Sequence, residues 1–173
     1  MRYVELLRHP DNDGDSLSAE GVAAAEEIGR TSLHPPYAFF ASTGAARAVQ
    51  TAEILRHAAN QGELPILTVG GLRSAVEDRW REAAKAAGDG ADLEGIRAVD
   101  PDLVDTETRL LGQTLRDVLD AVPDGGRALV VGHSPTNEAA VLGLTGQVVA
   151  PLGKGEGLLV TETDGRVEVA PLG

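Results

Sequence analysis

Two mostly apolar stretches of this chain each lead into a histidine. Residues 4–7 run directly into Arg8 and His9, and residues 128–131 are followed, after one glycine, by His133. Stretches of this kind predict buried strands, and an open α/β sheet binds its ligands beyond the carboxyl ends of such strands. An imidazole held there is suited to nucleophilic or acid-base chemistry. One such histidine is more often structural, and it is the parallel arrangement of two that indicates a site.

Two arginines accompany these histidines and suggest what the site would bind. Arg8 precedes His9, and Arg47 lies near the start of a predicted helix, where backbone N–H groups and the helix dipole favour an anion. If both arginines and both histidines converge, the guanidiniums would bind a phosphoryl group through charge-assisted hydrogen bonds. One imidazole would then attack phosphorus, while the other would stabilise negative charge or move a proton. We expect neither a metal nor a cofactor, because the arginines would neutralise the charge.

Composition narrows the class of protein. The 173 residues are 42% hydrophobic and show no dividing linker, so we expect one globular domain over 1–173. The absence of cysteine excludes disulfides, thiolate catalysis and cysteine zinc sites. A formal net charge of -12 makes nucleic acid a poor partner. The sequence has no apolar run long enough for a membrane span and no signal peptide, so we expect a cytoplasmic protein with no membrane partner.

The remaining elements alternate between helix and strand in the first half of the chain. After an acidic loop at 11–15, which lacks EF-hand spacing and is interpreted as solvated, Ser18 is predicted to cap a helix with an apolar face of Val22, Ala25 and Ile28. A strand at 37–41 leads into the helix that carries Arg47, and a short strand follows at 64–69. This alternation predicts an α/β fold with a mostly parallel sheet.

The second half is predicted in less detail. A helix at 76–87 is anchored by Trp80, and the stretch from there to Pro101 is interpreted as loop-rich. The next helix begins at a cap on Thr106 or Thr108 and runs to Ala121. Its predicted core stripe consists of Leu110, Leu111, Leu115, Val118 and Leu119. Strands at 157–161 and 166–170 flank a Thr-Asp-Gly turn, which indicates a closing hairpin.

Four segments, in order, resemble the histidine phosphatase superfamily, whose fold is that of phosphoglycerate mutase. Leu7-Arg8-His9 matches its Leu-Arg-His segment, and residues 17–21 resemble the Leu-Thr-x-x-Gly that opens its first helix. Residues 42–52 resemble Ser-Ser-Pro-Leu-x-Arg-Ala-x-Gln-Thr-Ala, and Val131-Gly132-His133 matches the segment of the second histidine. Each match is modest alone, but together they are specific. The resemblance implies a three-layer α/β sandwich with a mostly parallel central sheet and helices on both faces.

The resemblance also implies roles for the four residues. His9 would be the nucleophile that becomes phosphorylated, Arg8 and Arg47 would bind the phosphoryl group, and His133 would complete the pocket. The chain departs from the family pattern at Pro10, where the family has glycine, so any backbone N–H contact to phosphate there is lost. Gly44 in place of the usual proline should matter little.

The acid that protonates the leaving group is a further point at which the chain departs from the family pattern. The mutase-type pattern Leu-Arg-Glu would put Ser74 at the acid position, since Leu72-Arg73-Ser74 precedes Trp80. Glu77 is the nearest carboxylate, with Asp78 beside it, and we assign Glu77. Without an acid the enzyme should prefer good leaving groups, such as a phosphohistidine or an acyl phosphate.

We therefore expect a metal-independent phosphatase that hydrolyses a phosphomonoester or phosphohistidine through a phosphohistidine on His9. The short chain resembles the compact phosphohistidine-phosphatase branch more than full-length mutases. Its partner would be a small phosphorylated metabolite or a phosphohistidine-bearing protein. Two alternatives stay open at this point: a phosphoglycerate-type mutase, and a pseudoenzyme that binds a phosphorylated ligand without turnover.

Overall fold

The computed structural model describes residues 1–172, in which eight strands alternate with six helices. The strands are β1 (Arg2–Arg8), β2 (Asn12–Asp13), β3 (Ser16–Leu17), β4 (Phe39–Ser42), β5 (Ile66–Thr68), β6 (Arg127–Gly132), β7 (Gly157–Thr163) and β8 (Arg166–Leu172). The helices are α1 (Ala19–Thr31), α2 (Ala46–Ala58), α3 (Glu77–Ala87), α4 (Leu93–Val99), α5 (Pro101–Ala121) and α6 (Thr136–Thr145), with a 3₁₀ turn at Gly70–Leu72. Within the described residues, no helix is both long and apolar enough to cross a membrane.

Six of the strands form one mixed sheet in the order β5-β4-β6-β1-β7-β8, and β2 pairs with β3 in a small hairpin. The strands β5, β4, β6 and β1 are parallel, whereas β7 is antiparallel to both of its neighbours. Arg8 at the end of β1 lies opposite Gly132 at the end of β6, and Ser42 at the end of β4 lies opposite Val131. The carboxyl ends of three neighbouring strands therefore meet at one edge of the sheet.

Side chains of the central strands alternate between two cores, as the period of a strand requires. On one face Val4, Leu6 and Val130 pack with residues of α3, α4, α5 and α6. On the other face Leu7 and Val131 pack against the alanines and Leu55 of α2, with Ile28 of α1 beside them. The predicted three-layer α/β sandwich, with a mostly parallel sheet and helices on both faces, is confirmed.

Two predictions for the middle of the chain were wrong. The stretch before Pro101 is not merely loop, since it contains α4, which is capped by the Asp92 side chain accepting from the Gly95 N–H. The next helix begins at Pro101 and not at a threonine cap, because the Asp100 side chain accepts from the Leu103 N–H and proline suits the first helical turn.

The predicted apolar faces also need correction at single positions. Leu110 is 55% exposed, because it lies outside the buried stripe of α5. That stripe includes Leu111 and Leu115. Val22 of α1 is 36% exposed, whereas Ala25 on the same helix is fully buried. Trp80 is buried on α3 as predicted, at 3% exposure.

The remaining elements lie close to their predicted bounds. Ser18 caps α1 through its side chain, which accepts from the Gly21 N–H. The closing hairpin of β7 and β8 turns at Asp164 and Gly165, both of which have positive φ, as that turn requires.

Candidate active site

The shared edge of β4, β6 and β1 brings the two predicted histidines together. The His9 backbone N–H donates to the carbonyl of Gly132, the residue before His133, at 3.2 Å. The two imidazole rings meet edge to face, with centroids 5.2 Å apart and an interplanar angle of 69°. Both are largely buried, at 6% and 8% exposure. The parallel register of β1 and β6 thus fixes the distance between the rings.

The carbonyl of Pro10 orients His9. His9 Nδ1 lies 2.8 Å from that oxygen, which only accepts, so Nδ1 carries the proton. In the neutral ring Nε2 is therefore unprotonated and presents its lone pair as an acceptor. Proline lacks the N–H but keeps the carbonyl, and the carbonyl is the group that this contact uses. The departure from the family pattern at Pro10 therefore leaves the orientation of the imidazole intact.

Arg47 connects the two histidines. Its Nε donates to His9 Nε2 at 3.2 Å, and its Nη2 lies 3.4 Å from His133 Nδ1. The third nitrogen, Nη1, donates to the carboxylate of Asp15 at 2.6 Å. Arg47 is the second residue of α2, so its guanidinium also lies beside the positive end of the helix dipole.

Thr43 fixes the second histidine. Its hydroxyl lies 2.7 Å from His133 Nε2. Because Arg47 donates to Nδ1, that nitrogen accepts and Nε2–H donates to Thr43. Thr43 follows β4, and its own N–H donates to the Val131 carbonyl at 3.3 Å, so the sheet register also holds this contact. His133 consequently turns its unprotonated Nδ1 toward the arginine.

Burial and positive neighbours keep both rings neutral in the empty site. The pKa of His133 is lowered to about 3, mainly by burial and further by Arg47 and His9. The pKa of His9 is also lowered, first by burial, while the Pro10 carbonyl opposes the shift and Arg47 and Arg8 add to it. A neutral His9 with an unprotonated Nε2 is the form that a nucleophile requires.

Two close contacts restrict the backbone at Gly132 and the side chain of Arg8, next to the two histidines. A Cβ on Gly132 would clash with Oδ1 of the buried Asn137, whose Nδ2 donates to the Leu7 carbonyl at 3.1 Å. Arg8 is anchored by a 2.6 Å hydrogen bond from Nη1 to the Leu152 carbonyl. Close behind lies Glu138, whose pKa is raised by burial; it accepts from Ser134 at 2.5 Å.

A cleft of about 650 Å³ opens above these groups, and Glu77 lies on its wall. The lining residues are Arg8, His9, Asn12, Gly14, Asp15, Arg47, Arg73, Ser74, Glu77, Trp80, Arg81, Ala84, His133, Ser134, Pro135 and Thr136. All five residues predicted for the site are therefore on one cavity. Asp78 instead has a 92% exposed side chain, pairs with Arg81 and does not line the cleft. Among residues 1–172, no three histidine, aspartate or glutamate side chains are grouped as metal ligands.

The carboxylate of Glu77 is held by Arg73. The two side chains meet at 2.7 Å, and this hydrogen bond lowers the pKa of Glu77 against the effect of partial burial. The nearby positive charge of Arg47 acts in the same direction. Glu77 is thus ionised at neutral pH in the empty cleft, which suits a base and requires a bound anion to make it an acid.

Glu107 on α5 supports the segment that carries Glu77. Its buried Oε1 accepts from the Ser74 hydroxyl and, at 3.0 Å, from the indole N–H of Trp80. The Ser74 hydroxyl in turn accepts from the Val76 N–H at 3.0 Å. Two residues that flank Glu77 in the chain are therefore tied to one buried carboxylate.

Sequence reasoning missed four residues of this arrangement. Thr43 was seen only as part of a helix start, and Asp15 only as part of a solvated loop. Glu107 had no local signal, because its partners Ser74 and Trp80 are 33 and 27 residues away. Glu138 accepts from Ser134, four residues earlier in the chain, and from the Leu152 N–H, fourteen residues later, and this pairing was not predicted. The one available hint was the position of Thr43, directly after a buried strand beside the predicted site.

Comparison with known proteins places the fold. No protein-family model matches the chain, and no curated protein is significantly similar in sequence. Among solved structures, a phosphoserine phosphatase from Entamoeba histolytica has a TM-score of 0.75 and 16% identity, covering 100% of this chain and 98% of its own. A phosphoglycerate mutase from Bacillus anthracis has a TM-score of 0.74 and 18% identity, covering 98% and 91%. An alpha-ribazole phosphatase from Shigella flexneri has a TM-score of 0.68 and 13% identity, covering 98% and 95%.

The chain has the fold of phosphoglycerate mutase and of the phosphatases named above. The expected resemblance is confirmed at the level of the fold, over nearly the whole chain. At these identities the comparison assigns no activity, so the chemistry has to be argued from the cleft itself.

Proposed function

We propose that this protein is a metal-independent phosphatase that acts through a phosphohistidine on His9. The observation that carries the proposal is the hydrogen bond from His9 Nδ1–H to the Pro10 carbonyl at 2.8 Å, which leaves Nε2 as the unprotonated nitrogen. That nitrogen lies beside Arg47 in a cleft that Arg8 and His133 also line. A nucleophile flanked by two guanidiniums is what transfer of an anionic phosphoryl group requires.

The first step breaks the bond between phosphorus and the leaving oxygen. The lone pair of His9 Nε2 attacks phosphorus, a phosphorus–nitrogen bond forms, and the leaving oxygen takes the electron pair of the broken bond. Arg8 and Arg47 hold the phosphoryl oxygens and balance their charge. The bound phosphoryl dianion offsets the positive charge around His133. The pKa of His133 therefore rises, and the protonated ring can donate a hydrogen bond from Nδ1.

The second step returns the nucleophile. A water molecule attacks phosphorus, the phosphorus–nitrogen bond breaks, and inorganic phosphate leaves with His9 neutral again. Glu77 is ionised in the empty cleft and would accept the proton of that water. In the first step the same carboxyl would donate a proton to the leaving oxygen, once the incoming phosphoryl charge has raised its pKa.

The substrate class follows from the role of Glu77. An alkyl phosphomonoester has a poor leaving group and needs the proton, whereas a phosphohistidine or acyl phosphate does not. The structural neighbours named above include a phosphoserine phosphatase and a phosphoglycerate mutase. We propose a small phosphorylated metabolite or a phosphohistidine-bearing protein as substrate, and residues 1–173 as one catalytic domain.

The experiment that tests this proposal compares turnover of p-nitrophenyl phosphate in EDTA for the wild type, His9→Ala and His57→Ala. His57 is an exposed histidine of α2 outside the cleft, so its variant controls for loss of a histidine. We expect the wild type and His57→Ala to be equally active and His9→Ala to be inactive. Brief incubation with labelled substrate, followed by alkaline quench, should trap label on the wild type and on His57→Ala but not on His9→Ala.

Other results would redirect the assignment. Equal activity in the wild type and His9→Ala would contradict it. A wild type that hydrolyses a phosphohistidine and p-nitrophenyl phosphate but no alkyl phosphomonoester would show that Glu77 supplies no effective proton. Isomerised phosphoglycerate without phosphate release would identify a mutase, and binding of phosphate without any label on His9 would identify a pseudoenzyme.

A further inference from the structure

Asp15 places its carboxylate on the guanidinium that would bind the anionic phosphoryl group in the proposed reaction. Its carboxylate accepts from Arg47 Nη1 at 2.6 Å, while the other nitrogens of that guanidinium face the two histidines. Asp15 sits in the turn of the small β2–β3 hairpin and lines the cleft directly. It is therefore a resident anion on a guanidinium that the phosphoryl group also requires.

The position of Asp15 resembles that of a bound anion in a second respect. Helix α2 begins at Ala46 and has no side-chain cap from its own N-cap residue, Ala45. The carboxylate of Asp15 lies near the N–H groups of Ala46 and Arg47. Although partial desolvation opposes it, these groups and the guanidinium keep the pKa of Asp15 low. Helix N–H groups and a guanidinium are the usual partners of a phosphate.

Asp15 is also free to leave. Its side chain is 59% exposed, and Arg47, at 18%, is the more buried partner of the pair. An exposed ion pair contributes little to stability, so exchanging Asp15 for a phosphoryl group costs the fold little. A phosphoryl dianion bound to Arg47 beside an ionised Asp15 would however experience repulsion, which weakens its binding.

We propose that Asp15 competes with the phosphoryl group for Arg47, so that inorganic phosphate binds weakly and leaves the cleft after hydrolysis. This inference rests on the proposed function and deepens it. Weak retention of phosphate favours hydrolysis, because a mutase must hold its phosphorylated product long enough to return the phosphoryl group. Asp15 thereby contributes to the choice between release and transfer.

The test measures binding of inorganic phosphate by calorimetry to the wild type, Asp15→Asn, Asp15→Ala and Asp13→Asn. Asp13 is an exposed carboxylate two residues away on the same hairpin and does not line the cleft, so its variant controls for net charge. We expect both Asp15 variants to bind phosphate about five- to tenfold more tightly, which is the scale of one screened like-charge contact. Asp13→Asn should stay within about twofold of the wild type.

Each result decides the inference. Tighter binding in both Asp15 variants, with a gain that shrinks at high ionic strength, supports it. Unchanged or weaker binding, or no binding by any variant, overturns it; weaker binding would mean that Asp15 positions Arg47. The proposed function is judged separately by label on His9. Tighter phosphate binding without label on His9 would support the competition by Asp15 but contradict the proposed phosphatase activity. Label on His9 without tighter phosphate binding would support the phosphatase activity but contradict the competition by Asp15.

Discussion

Mild acid should destabilise the folded protein through His133. In the folded state its pKa is about 3, whereas the ordinary value is 6.5. Between these values the unfolded chain binds a proton that the folded protein does not, so the contribution is present in full above pH 6.5 and is lost as the pH falls. Each pH unit below 6.5 costs about 1.4 kcal/mol, which gives a loss of about 2 kcal/mol in the free energy of unfolding at pH 5.

The assay is urea unfolding at pH 7.5 and pH 5 for the wild type, His133→Gln and His57→Gln. Glutamine keeps a donor for the Thr43 hydroxyl but does not titrate. Carboxylates remote from His133 titrate alike in all three proteins, so the difference between the wild type and His133→Gln reports on the imidazole together with its coupling to Glu77. Between the two pH values we expect the free energy of unfolding to fall by about 2 kcal/mol more in the wild type than in His133→Gln. The wild type and His57→Gln should lose the same amount.

One result would refute this reasoning. If the wild type and His133→Gln lose the same free energy between pH 7.5 and pH 5, the His133 imidazole is not held neutral by its burial among Arg47 and His9. A titration of the His133 ring by NMR gives the same answer directly. With inorganic phosphate bound, its pKa should rise, because an opposite charge within about 4–6 Å favours the protonated ring.

Two further substitutions test the backbone around the histidines. Gly132→Ala should lower the free energy of unfolding by about 1–3 kcal/mol in urea titrations, because its Cβ would clash with the Asn137 side chain. Gly62→Ala, at an open position, should cost less than about 0.5 kcal/mol, and equal losses in both would argue against the contact. Pro10→Gly should keep kcat within about a factor of three, since the carbonyl that orients His9 is retained. A fall in kcat of more than about tenfold would instead show that the pyrrolidine ring of Pro10 orients His9.

The fold was predictable where one local signal was strong. The apolar runs of β1 and β6 identified buried strands, and the alternation with helices identified the layers. The helix α4 was missed because it has only 7 residues, too few for a repeated apolar pattern. The start of α5 was readable, since Asp100-Pro101 is a cap followed by proline, but the threonines further along supplied competing caps.

The site was predictable to the extent that strand ends determine it. Arg8, His9 and His133 follow directly from the register of two parallel strands, and Arg47 from the helix after the next strand. The contacts of Asp15 and Glu107 depend on the path of a hairpin and on the packing of α3 against α5. Such contacts join residues 27 to 33 positions apart and leave no periodic pattern in the sequence.

Pro10 shows why a residue type alone is an incomplete guide to a site. Proline lacks the backbone N–H, and the sequence therefore predicted that a phosphate contact at position 10 is lost. The structure uses the group that proline shares with every residue, its carbonyl, to hold the Nδ1 proton of His9. The choice of tautomer, on which the proposed role of His9 depends, is thus made by the backbone. A substitution at position 10 can change the side chain completely without changing which nitrogen of His9 carries the proton.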